Sequence, residues 1–118
     1  MSVTRRVETD RLEEYFDKFN KRFLNNETTN VADVEVLLGT LGDQVAAEGV
    51  HLIGISYDPK ASSIEIELES GDLRSYHPKE VWTVEEDDGF VRAVEIIRDD
   101  GASEIVRVRR LGMAPRGD

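Results

Sequence analysis

The run Ser62-Ser63-Ile64-Glu65-Ile66-Glu67-Leu68-Glu69 alternates apolar and carboxylate side chains without interruption. Successive side chains of a strand point to opposite faces, so Ile64, Ile66 and Leu68 share one face while Glu65, Glu67 and Glu69 share the other. A helix would scatter the same residues around its circumference. The least this chain must build is therefore a sheet with one buried face and one wet, acidic face.

Period-two segments recur from residue 31 onward: Val31 to Leu38, Gln44 to Ala47, His51 to Tyr57, Leu73 to Tyr76, Val81 to Glu86, Val91 to Arg98 and Glu104 to Arg109. Between them stand Asp58-Pro59-Lys60, Ser70-Gly71-Asp72, Asp88-Gly89 and Asp100-Gly101, all turn chemistry, and the two Asp-Gly pairs favour tight hairpins. Strands this short and closely spaced pair consecutively and antiparallel. Around Gln44, Ala46-Ala47-Glu48 favours a helix stopped by Gly49, yet the segment has the length of a strand, and a strand is expected.

Ahead of these segments, Leu12, Tyr15, Phe16, Phe19 and Phe23 fall on one stripe of a helix over residues 10–23. Asp10 with Glu13 fits a capping box, Glu14/Lys18 and Asp17/Lys21 are acid-before-base pairs four apart, and Asn25-Asn26 stops the helix. A polar side of mixed sign marks the aromatic stripe as core rather than as a membrane-binding face. These elements predict an α+β fold: an N-terminal amphipathic helix packed on a curled antiparallel meander sheet, a half-open barrel or roll plugged by the phenylalanines. The 118 residues suit a single domain over 1–111, with 112–118 a disordered tail.

The formal charge of -10 is unevenly spread. Residues 1–30 balance six acids with six bases, residues 31–100 carry 17 acids against five bases, and residues 101–118 carry two against four. Such a surface disfavours direct nucleic-acid or anionic-membrane binding and favours cationic partners. Four Lys beside eleven Arg suits a halophile's surface or a GC-rich genome. With no cysteine there is no disulfide, no thiolate nucleophile and no thiolate-ligated metal. The start, Met1 to Glu8, has an Arg pair without an apolar segment after it, and a cytoplasmic protein is the expectation.

No motif reaches a catalytic constellation. Glu65, Glu67 and Glu69 recur at ~6.7 Å along one face, too widely for all three to hold one ion without help from a neighbouring strand. They are expected to face bases such as Arg74, Arg107 or Arg109, or to form a patch for a basic partner. Glu85-Glu86-Asp87-Asp88-Gly89 lacks the spacing of an EF-hand and reads as an acidic hairpin tip. Gly54-Ile55-Ser56-Tyr57-Asp58 lacks the second glycine and the helix of a nucleophile elbow, and Gly39-Thr40-Leu41-Gly42 lacks the Lys-Ser/Thr of a phosphate loop. His51 is assigned the strand face of Ile53, Ile55 and Tyr57. Tyr76-His77-Pro78 sits where a strand meets a turn, and His77 with Glu80 or Asp58 is the one acid–base pair this chain can assemble. Trp82 reads as core, while an edge position would make Trp82 with Tyr76 a binding hot spot.

At Val34-Glu35-Val36, Gly42-Asp43-Gln44-Val45 and above all Leu52-Ile53-Gly54-Ile55-Ser56-Tyr57-Asp58-Pro59-Lys60, the chain resembles an uncharacterised prokaryotic family of small single-domain proteins, known only as a domain of unknown function. Further echoes are Tyr15-Phe16 and Phe19, His77-Pro78 before Glu80-Val81, and Asp100-Gly101 to Arg107. The resemblance implies an α+β domain and carries over no reaction, cofactor or site residue.

The reading that follows is a non-enzymatic acidic binding or accessory domain engaging another macromolecule, a basic protein by its charge. Glu65, Glu67, Glu69, Tyr76, His77 and Trp82 are its candidate binding residues. The alternatives are an acidic nucleic-acid mimic that blocks a basic protein and a small hydrolase or lyase using His77. No metal and no cofactor is expected, and a homodimer through an edge strand is compatible with a curled sheet.

Overall fold

The computed structural model describes the backbone of residues 2–24, 32–39 and 43–110, and the side chains of residues 2–24 and 45–110. The Asn25-Asn26 helix stop, the turn over 40–42 and the tail over 112–118 lie outside the described residues.

The chain begins with strand β1 (Val3–Val7), continues through a 3-10 turn (Thr9–Arg11) into helix α1 (Leu12–Phe23), and is strand thereafter: β2 (Ala32–Gly39), β3 (Asp43–Asp58), β4 (Ser63–Leu68), β5 (Leu73–Tyr76), β6 (Pro78–Glu85), β7 (Val91–Arg98) and β8 (Ser103–Arg110). The sheet order is β1-β6-β7-β8-β2-β3-β4-β5, antiparallel at every pairing. Two meanders, β2 to β5 and β6 to β8, are thus joined where β8 returns to β2.

Residues 44–47 are strand, continuous with His51–Tyr57 in one 16-residue β3. Its first half pairs β2 and its second half pairs β4, so a single strand carries the sheet through its curl. Three residues of β3 are skipped in these ladders: Ala46 and Gly49 against β2, and Ile53 against β4. Each extra residue bends the strand and increases its twist, and Gly49 does so with a φ of 67°, open to glycine at no steric cost. The skip at Ile53 also corrects an expectation. It reverses the alternation, so Leu52, Ile55 and Tyr57 are buried while His51 and Ile53 face outward.

The alternating run behaves as its pattern requires. Ile64, Ile66 and Leu68 are at most 4% exposed, and Glu65 and Glu67 are on the other face. The helix lies across the concave side, and Leu12, Phe16, Phe19 and Phe23 join Leu52, Ile55, Ile64, Val94 and Val106 in one core. Phe90 packs edge-on against Phe23 at 5.2 Å and Phe19 at 5.6 Å. Each such ring contributes about 1.5–3 kcal/mol by leaving water, which is what holds a 12-residue helix that would be marginal alone. The Glu14–Lys18 and Asp17–Lys21 pairs form, both at 3.1 Å. The capping box does not: Asp10 falls inside the 3-10 turn, Arg11 occupies the cap, and no side chain bonds there. Among the described residues, no helix is long and apolar enough to cross a membrane.

Both Asp-Gly hairpins are present. Gly89 and Gly101 have φ of 92° and 88°, and Asp88 and Asp100 each accept an N–H two residues on, from Phe90 and Ala102. Trp82 departs from its core assignment. It lies half-buried on the outer face of β6, an interior strand, between Arg6 on β1 and Glu95 on β7, with its Nε1–H donated to Glu80 at 3.0 Å.

Candidate functional site

Helix α1 has two unlike flanks. One, carrying Glu13, Asp17 and Asn20 at helical spacing, faces β3 across a groove of about 490 Å³ that Ser56 and Tyr57 complete. The Asn20 amide reaches the strand itself. Its Nδ2–H donates to the Ile55 carbonyl at 2.8 Å and its Oδ1 accepts the Ile55 N–H at 3.0 Å. A Cβ at Gly54 would meet the Asn20 amide at an ordinary contact distance of 3.6 Å but crowd Glu67 Oε1 at 3.0 Å, so the glycine leaves room for the Glu67 carboxylate.

Glu67 lies across from Gly54 and Glu65 across from Ser56, so the acidic row of β4 continues the surface that the helix flank begins. Asp72, from the turn after β4, joins them: oxygens of Glu65, Glu67 and Asp72 lie within 4.8 Å of one another. Glu65 pairs with Arg74 on β5 at 3.4 Å, and that carboxylate raises the Arg74 pKa further above its ordinary value. Arg107 and Arg109, the other bases expected opposite the row, pair in register with β2 instead. Glu69, just past β4, is exposed, donates its backbone N–H to His51 O and stands apart from the three-carboxylate cluster.

Carboxylates gathered this closely raise the local negative potential, and guanidinium or ammonium groups or a hard cation would relieve it. Glu65, Glu67 and Asp72 are the residues that could ligate such a cation. The arrangement offers charge and shape.

The remaining candidates do not converge on this groove. Tyr76 is half-exposed at the end of β5, with its ring 6.4 Å from that of His77. His77 is exposed, and no ion pair or side-chain hydrogen bond of its ring occurs among the described residues. Glu80 is engaged by Trp82, and Asp58 accepts the Lys60 N–H at 3.0 Å, so neither is held to the imidazole. Asn20 was not singled out by sequence, and Gly54 and Asp72 entered only as members of a rejected nucleophile elbow and of a turn. Asn20 matters because helix and strand touch there, a contact that local pattern does not encode.

The chain belongs to a family of unknown function, DUF5335, whose profile matches residues 3–116. It is also similar to an uncharacterised protein of Aquifex aeolicus (strain VF5), 36% identical over 108 residues that cover 91% of this chain and 93% of that protein. No solved structure matches it.

Proposed function

We propose that this protein is a non-enzymatic binding domain whose groove between α1 and the β3–β4 face takes a basic, extended segment of another protein. The observation that supports this is the continuity of Glu13 and Asp17 on the helix with Glu65, Glu67 and Asp72 on the sheet. Helix and strand each supply one wall, and an extended chain lying between them can alternate Lys or Arg contacts with either wall.

Recognition through a groove rather than through strand addition suits the free edges. Arg5 and Arg6 charge β1, skipped residues kink the first half of β3 along the edge that β4 does not cover, and β5 is four residues long with Arg74 in it. Each of these features discourages edge-to-edge pairing.

The test is calorimetric titration of the full chain with an extended decapeptide rich in Arg and Lys at several salt concentrations. Saturable binding that weakens with salt and is lost in the Glu65→Lys, Glu67→Lys double variant supports the reading. No binding at low salt, or binding indifferent to the double variant, overturns it.

A further inference from the structure

The opposite flank of α1 has the opposite sign. Arg11, Tyr15, Lys18 and Arg22 recur at intervals of four, three and four, which places them on one side of the helix, turned towards β1 and β6. Between this flank and β1 lies a second cleft, of about 290 Å³, whose lining includes Arg5, on the same face of β1 as Val7, and Arg6, on the opposite face. Its lining holds four bases, Arg5, Arg6, Arg11 and Lys18, against two acids, Glu8 and Glu14, in a chain of net charge -10. The floor is different in kind: the buried Val7 and the ring of Tyr15.

The commitments of these cations leave donors over. Arg5 touches Glu85 through one nitrogen at 3.3 Å. Arg6 stands 3.9 Å from Glu8, beyond hydrogen-bond reach, and Lys18 is held by Glu14 at 3.1 Å. The Arg11 guanidinium has no ion pair or side-chain hydrogen bond among the described residues. The Tyr15 hydroxyl is already engaged by Glu85 and Thr83, so the cleft is offered the ring and not the O–H.

We infer that this cleft binds a small organic phosphate, with the phosphoryl oxyanion on the donors of Arg5 and Arg11 and an apolar body on Val7 and Tyr15. Guanidinium groups bind such oxyanions by paired, charge-assisted hydrogen bonds, and an apolar floor beside them rewards a ligand with a carbon skeleton. A nucleic acid is the wrong size of anion for this surface. Its phosphates would extend past the cleft onto the acidic remainder of the chain, whereas a single phosphate is shielded from that field within a Debye length of about 8 Å.

The experiment is titration of the full chain with phenyl phosphate, followed by amide and Arg side-chain resonances at constant ionic strength. Parallel titrations use inorganic phosphate and a single-stranded oligonucleotide. Saturable shifts at Arg5, Val7 and Arg11, tighter binding of phenyl phosphate than of inorganic phosphate, and at least tenfold weaker binding by Arg11→Gln are expected. Arg92→Gln, the same charge change outside the cleft, should bind as the parent does. Shifts that never saturate, equal weakening by the two variants, equal affinity for the two phosphates, or tighter binding of the oligonucleotide would each overturn the assignment.

Discussion

The side-chain amide of Asn20 pairs with both backbone groups of Ile55, at 2.8 and 3.0 Å, where a neighbouring strand would otherwise do so. β2 no longer serves this stretch of β3, since the last residue it pairs there is His51, opposite Asp33. One helix side chain thus substitutes for a strand and fixes how far α1 stands from the sheet. It also sets the width of the acidic groove.

Replacing Asn20 by Ala should leave the Ile55 N–H and C=O without protein partners and cost about 1–3 kcal/mol of stability. Asn20→Asp keeps the acceptor and loses the donor, so it should fall between. Urea unfolding measures the cost, and hydrogen exchange localises it: the Ile55 amide should lose protection in Asn20→Ala. Unchanged protection at Ile55 would mean that β3 is held elsewhere.

On the other flank, Tyr15 donates its O–H to Glu85 at 2.5 Å and lies 2.9 Å from the Thr83 hydroxyl. Burial, and after it the bond to Glu85, pushes the phenol well above its ordinary value. An unfolded tyrosine ionises near pH 10, and the folded one resists, so its contribution is complete below about pH 10 and declines as pH rises further. Tyr15→Phe should be less stable than the parent at pH 7 by about 1–3 kcal/mol. The gap should narrow above pH 10. Denaturant melts at pH 7, 9 and 11 provide the comparison, and a constant gap would refute the linkage.

How much of this was legible in the sequence follows the range of the contact responsible. Ile64 to Leu68 and the Phe16–Phe23 stripe were readable because period alone decides which way they face. β1 was not, although Val3 and Val7 flank its arginines, because five residues with one buried side chain carry almost no periodic signal. His51 and Ile53 were assigned to the wrong face because a single skipped residue inverts every later position, and nothing local announces it. The two clefts depend on which flank of α1 meets which strand, and only the closed sheet determines that.

Arg110 at the end of β8 forks onto Asp88 at 2.9 and 3.0 Å, reaches Glu86 at 3.1 Å and stacks over Phe90 at 4.1 Å. The guanidinium, together with the Phe90 N–H, holds Asp88 below the usual carboxylate range. A depressed folded pKa stabilises above the unfolded value of about 3.9 and ceases to do so as pH falls through the folded one. Because Asp88 is 46% exposed, solvent screening limits the effect of Asp88→Asn to under about 1 kcal/mol at pH 7. The difference from the parent should vanish as pH falls below 4, as thermal melts across pH 2–7 would show.

His77 links β5 to β6 with a φ of 57°, in the left-handed region that residues other than glycine rarely occupy. Its N–H donates to Ser62 O at 2.7 Å and its carbonyl accepts from Asp99 N–H at 3.1 Å, so backbone contacts on both sides impose the corner. The buried Pro78 that follows constrains it further, since the residue before a proline prefers extended backbone. If this corner is what the position provides, the side chain matters only through its tolerance of that φ. Asn accepts it readily, so His77→Asn should stay within about 0.5 kcal/mol of the parent. A β-branched side chain does not, so His77→Val should lose about 1–2 kcal/mol. Urea unfolding of the two variants separates them. A harmless Val would show that the corner relaxes, and a costly Asn would show that the imidazole itself does work there, which would make His77 a functional residue again.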